Sequence, residues 1–91
     1  MNIELVPLIV NFMILKNSKN TTVSEILKLT EHLSLNFSAE DVLIEVTKAY
    51  PIFLIDDIDE TIYIRTDVKE KLKPFLLPTE ITEKILSFQK D

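Results

Sequence analysis

A chain of 91 residues with no glycine must make every tight turn with a side chain in place. Glycine reaches left-handed backbone without a Cβ penalty, so here the turns are expected at Asn, Asp, Ser or Pro. The same absence excludes phosphate loops and dinucleotide fingerprints, whose backbone must approach a ligand closely. Cysteine is absent too, which excludes disulfides and thiolate metal sites. With 46% apolar residues and charges spread along its length, the chain suits one domain with a single modest core.

The most apolar run, Ile3 to Leu15, has ten apolar residues in thirteen. It falls short of the ~20 residues that span a bilayer and is interrupted by Glu4, Pro7 and Asn11. It also lacks the basic start and small-residue cleavage site of a signal peptide. The run is therefore expected to form a helix from about Glu4 to Lys16, with Pro7 in its first turn. Its apolar surface wraps nearly all round, so it is either sandwiched in the core or shared with a partner. Leu5, Leu8 and Ile9 are accordingly candidate protein-interface residues. An intracellular location with no membrane partner is expected.

Thr22 and Glu25 have the spacing of a capping box, which satisfies free amides at a helix start. Behind them Val23, Ile26, Leu27 and Leu33, with Thr30 filling the gap, predict a second helix ending near Leu35. Ser38 is expected to cap a third, with a stripe of Ala39, Val42, Leu43, Val46, Ala49 and Tyr50, stopped by Pro51. The period then changes. Ile52–Ile55, an acidic turn over Asp56–Glu60 and Thr61–Arg65 predict a hairpin with Ile62 and Ile64 inward. Asp67 and Glu70 can cap a short helix through Lys73, and Pro74 and Pro78 bracket an apolar loop. Thr79 opens a last amphipathic helix carrying Ile81, Ile85, Leu86 and Phe88. Three helices and a hairpin, with two to four residues between helices two and three, follow the order of a winged helix-turn-helix. The expected fold is α+β: a three-helix core, a β-hairpin wing and C-terminal helices, in one domain over residues 1–91. The pattern stops in mid-helix at Gln89-Lys90-Asp91, as in a domain excised from a longer protein.

Catalysis has little to work with. His32 is the only histidine, and no spacing suggests a nucleophile beside a base. No enzymatic activity and no cofactor are expected. The acidic turn could meet a hard cation, but a calcium loop takes a glycine at its sharp bend, so a solvated turn is expected and no metal. The net charge of −5 is unevenly placed: residues 38–60 carry seven acids against Lys48. Glu40, Asp41 and Glu45 occupy the polar side of the third helix, where a winged helix usually meets the major groove. That surface and an acidic wing repel phosphate, so standard duplex DNA binding is not expected, and these three acids join the candidate protein interface. Lys16 and Lys19 follow the first helix, and Arg65, Lys69, Lys71 and Lys73 follow the wing. They are either a solvated charged surface or a small phosphate-contacting rim.

The order of signals across roughly residues 12–85 resembles the La motif, a winged-helix variant of La and La-related proteins. The matching features are Phe12 to Lys16, Thr22-Val23-Ser24-Glu25-Ile26, Leu33 and Leu35, Ser38 to Asp41, and Val42-Leu43-Ile44-Glu45-Val46. Ile62 to Arg65 and Leu77-Pro78-Thr79-Glu80 complete it. The resemblance implies a domain that helps assemble a noncoding RNA–protein particle, with noncoding RNA, proteins of that particle, or both as partners, and it favours the nucleus. It places Phe12, Lys16, Lys19, Arg65, Lys69, Lys71 and Lys73 near RNA. The family's early aromatic segment is absent, since no tyrosine precedes Tyr50 and Phe12 is the only early aromatic of that region. Base stacking and end recognition use aromatic faces, so the resemblance is to a form degenerate at its RNA 3′-end pocket. Two alternatives stand beside it: a protein–protein winged helix without nucleic-acid contact, and, from Leu77 to Phe88, a segment that resembles the opening helix of an F-box adaptor.

Overall fold

In the computed structural model, which describes residues 3–56, 58–65 and 77–89, helices and strands interleave along the chain. The described elements are α1 (Leu5–Lys16), β1 (Asn20–Thr22), α2 (Val23–His32), α3 (Ala39–Lys48), β2 (Phe53–Asp56), β3 (Thr61–Ile64) and α4 (Thr79–Gln89). The strands form one antiparallel sheet in the order β1-β3-β2. This is an α+β arrangement, with the expected hairpin extended by a third strand that sequence patterning had not indicated. The short helix expected through Lys73 lies outside the described residues.

The nearly all-round apolar surface of α1 is consumed within the chain. Leu5, Leu8, Ile9, Val10, Phe12 and Met13 are all buried, and α1 packs against both α3 and α4. Pro7 costs nothing in the first turn, where no intrahelical acceptor exists for its missing N–H. At the other end Asn17 turns left-handed, at φ 55°. Its N–H donates to Ile14 O at 3.0 Å, and the Ser18 N–H donates to Met13 O at 3.1 Å. That is the closing pair of a Schellman motif, with asparagine standing where glycine usually does.

Ser34 does the same for α2. At φ 60° its N–H reaches Glu31 O at 3.0 Å, and the Leu35 N–H reaches Thr30 O at 2.8 Å. The helix therefore stops at His32, short of the expected Leu35, and six residues (33–38) separate α2 from α3, more than the two to four expected. Ser38 and Asp41 form a complete capping box: the Asp41 N–H donates to Ser38 Oγ at 3.1 Å, and the Ser38 N–H donates to Asp41 Oδ2 at 2.9 Å. Val42 and Val46 point into the core with Ala39, Leu43 and Ala49 beside them, whereas Tyr50 is 70% exposed. Tyr50 lies past the C-cap Ala49, where helical phase no longer governs it.

Ile62 and Ile64 face inward as expected. Ile62 pairs with Thr21 on one side and Ile55 on the other, and Ile64 pairs with Phe53. The Asp56 side chain closes the wing by accepting the Ile58 N–H at 2.9 Å. Glu60 follows at φ 53°, so one left-handed turn falls on a residue outside the expected Asn, Asp, Ser and Pro. In α4, Ile81 and Ile85 are buried and Phe88 is half-buried, but Leu86 is largely exposed and does not belong to the inward stripe.

Candidate interaction surface

The cationic candidates are placed unequally. Phe12 packs on Phe88 in a tilted arrangement, with ring centroids 5.9 Å apart, and is only 1% exposed, so its ring offers no face to a base. The Lys16 ammonium stands 5.4 Å from the Phe12 centroid and 2.6 Å from Glu25 Oε1. Its charge is therefore largely answered within the chain. The same Glu25 carboxylate accepts from the Thr21 hydroxyl, and the Glu25 N–H donates to Thr22 Oγ1 at 3.0 Å. Thus Thr22 caps α2 as expected, but the reciprocal half of the capping box is not made. Burial raises the Glu25 pKa, but the hydrogen bonds from Lys16 and Thr21 and the charges of Lys16 and Lys28 outweigh it and hold the group below 4.5.

The backbone of Lys19 adjoins β3, since the Ile64 N–H donates to Lys19 O at 2.9 Å, and Arg65 follows at the end of that strand. Beside them Tyr63, 41% exposed, stands on the outward face of the sheet between its cross-strand partners Asn20 and Leu54. Tyr63 had not been singled out from sequence. Lys69, Lys71 and Lys73 lie outside the described residues.

The protein-interface candidates divide as well. Contrary to the expectation from sequence, Leu5, Leu8 and Ile9 are core residues, and an interface on them would require the core to open. Glu40 and Asp41 are exposed and Glu45 half-buried on the outward side of α3. Among them Ile44 is 44% exposed. It lies three residues after Asp41 and one before Glu45, an apolar residue on the polar side of the helix, and that position was its overlooked signal. Asp41, Ile44 and Glu45, with the start of α1, line an open groove of about 550 Å³, whose walls include Val6, Phe37 and Ile44 and whose rim carries Glu4, Asp41 and Glu45. The ion pairs among the described residues are Lys16–Glu25, Lys48–Glu45 and Lys84–Glu80, none of which involves Glu4 or Asp41.

Comparison with family models, with curated proteins and with solved structures returned no match.

The wing tip is acidic but not wholly so, since Ile58 stands 93% exposed beside Asp59 and Glu60. His32 is an exposed residue whose ring lies 5.6 Å from that of Phe88 in a tilted arrangement. Among the described residues no three His, Cys, Asp or Glu side chains are placed to hold a metal ion, and no helix is long and apolar enough to cross a membrane. Two surfaces thus stand out among the described residues: the acidic side of α3 with Ile44 exposed on it, and the outward face of the sheet with Tyr63 exposed on it.

Proposed function

We propose that this chain is a non-catalytic winged-helix domain that binds a protein partner through the outward side of α3. The order helix–strand–helix–helix–hairpin and the sheet order β1-β3-β2 are compatible with that fold, in which the third helix is the element usually presented to a partner. The observation that carries the proposal is the exposed Ile44 set among Glu40, Asp41 and Glu45 at the edge of a groove. Tight non-specific nucleic-acid binding draws on roughly six to ten phosphate contacts. Here α3 offers only Lys48, 3.8 Å from Glu45. An exposed apolar side chain with polar neighbours instead resembles the centre and rim of a protein interface.

The role can be tested by pairing nucleic-acid titrations with partner association in cells producing the chain. Neither duplex DNA nor short RNA should bind appreciably through α3 at physiological salt. Ile44→Asp should abolish a stoichiometric protein association that charge reversal at Lys28, on α2, leaves intact. Tight duplex binding lost on Lys48→Glu, or partner association indifferent to Ile44→Asp, would contradict it.

A second role, that of an RNA-associated La-motif-like domain, is favoured by the exposed Tyr63 ring, two residues before Arg65, which offers a base-stacking face. It locates RNA on the sheet and the segment after it rather than on Phe12 and Lys16. Anisotropy with oligouridylate, comparing the chain with its Tyr63→Ala and Lys69/Lys71/Lys73 charge-reversal variants, decides between the two. Binding that weakens in those variants favours RNA association, and no binding by the unaltered chain removes it.

A further inference from the structure

The groove between the start of α1 and α3 has a composition that selects its occupant. Its volume of about 550 Å³ is within the range of roughly 300–1,000 Å³ typical of ligand pockets. Its apolar walls, Val6, Phe37 and Ile44, are partly exposed and so are already shaped to receive an apolar group. The charged residues of its lining, Glu4, Asp41 and Glu45, are all acidic, with the neutral Asn36 beside them. The ion pairs among the described residues do not involve Glu4 or Asp41, and the Lys48–Glu45 contact is a long pair between exposed groups, the kind that contributes little. The Asp41 carboxylate is held by the capping box, with one oxygen on the Ser38 N–H, so its position is fixed before any partner arrives.

These facts remove most occupants. A polyanion would meet three carboxylates. A neutral apolar surface would cover those carboxylates without pairing them, and burying an unpaired charge is strongly unfavourable. A partner bearing cations around an apolar centre is left. We infer that the groove takes a basic segment of a partner protein carrying one bulky apolar side chain. The side chain enters between Val6, Phe37 and Ile44, while flanking lysines or arginines meet Glu4, Asp41 and Glu45. This inference rests on the protein-binding role and adds the chemistry of the partner.

The test is selection of peptides from a random 12-residue display library by the intact chain, with the Ile44→Asp chain as counter-selection. Ile44 is already half in solvent, so its replacement spares the core, and a melting curve checks that it does. Selected peptides should share lysine or arginine on both sides of one Leu, Ile, Phe, Tyr or Trp. The strongest peptide, measured by anisotropy at low salt, should bind about tenfold more weakly to Glu4→Gln/Glu45→Gln and weaken again as salt rises. Backbone amide shifts on titration should concentrate at residues 3–6 and 36–45. An acidic or uncharged consensus overturns the inference. So do selection unaffected by Ile44→Asp, failure to enrich any peptide, and short oligouridylate displacing the peptide from the same amides. If peptide selection fails while the cellular association still depends on Ile44, the protein-binding role stands and only the partner's chemistry is refuted. If both fail, the role fails with it.

Discussion

The carboxylate of Glu25 ties three elements at one point: the end of α1 through Lys16, β1 through Thr21, and the first turn of α2 on which it sits. Its lowered pKa means that the folded chain holds its proton less tightly than the unfolded chain does. The resulting stabilisation is complete above the unfolded value near 4.5 and is lost as pH falls through the lower folded value. Glu25→Gln should therefore lower stability at neutral pH and flatten the acid limb of a Tm-versus-pH curve, and an unchanged acid limb would rule this out. The spacing of Thr22 and Glu25 made the cap legible in the sequence. The destination of the Glu25 side chain was not, because it depends on α1 ending against the start of α2. Phe12 was misjudged for a related reason: an aromatic near lysines reads as a contact residue until its neighbour Phe88, far along the chain, is in place.

Elements with local signals were the legible ones. Helices α2, α3 and α4 each have a capping residue or proline at the start and an apolar stripe, and each lies close to its expected position. Strand β1 was not legible, because Asn20-Thr21-Thr22 has no apolar alternation and becomes a strand only by pairing with β3. The end of α2 was missed because Ser34 adopts left-handed backbone at a place where leucines on both sides continue the apolar pattern. Left-handed backbone costs a non-glycine residue about 1–2 kcal/mol, part of which glycine returns through its freer unfolded state. Ser34→Gly should accordingly stabilise the domain by roughly 0.5–1 kcal/mol, read from denaturant midpoints at constant m value. A loss of stability instead would show that the Ser34 side chain has a role beyond its backbone.

For the molecule as a whole, the acidic bias of residues 38–60 could be counted in the sequence, and it already argued against duplex DNA. The groove could not be seen there, since it joins residues 3–6 to residues 36–45 and exists only once α1 packs on α3. The centrality of α1 makes the domain sensitive to its interior. Phe12→Ala should cost about 3–5 kcal/mol, a large part of the roughly 5–14 kcal/mol available to a chain of this size. A chain that kept its melting temperature after that change would return Phe12 to the surface.

That centrality also bears on how the protein is made. During synthesis α1 precedes every segment that covers it, and Thr79, where α4 starts, is reached only on the order of several seconds after Lys16. For that interval the nascent chain presents its greasiest stretch without its full cover, since α3 can pack on α1 but α4 cannot yet. Ribosome-bound chains halted before α4 emerges should recruit hydrophobic-segment chaperones through residues 5–13, and release them once α4 is free to dock. A helix that ends as the most sheltered part of the fold thus begins as its most vulnerable.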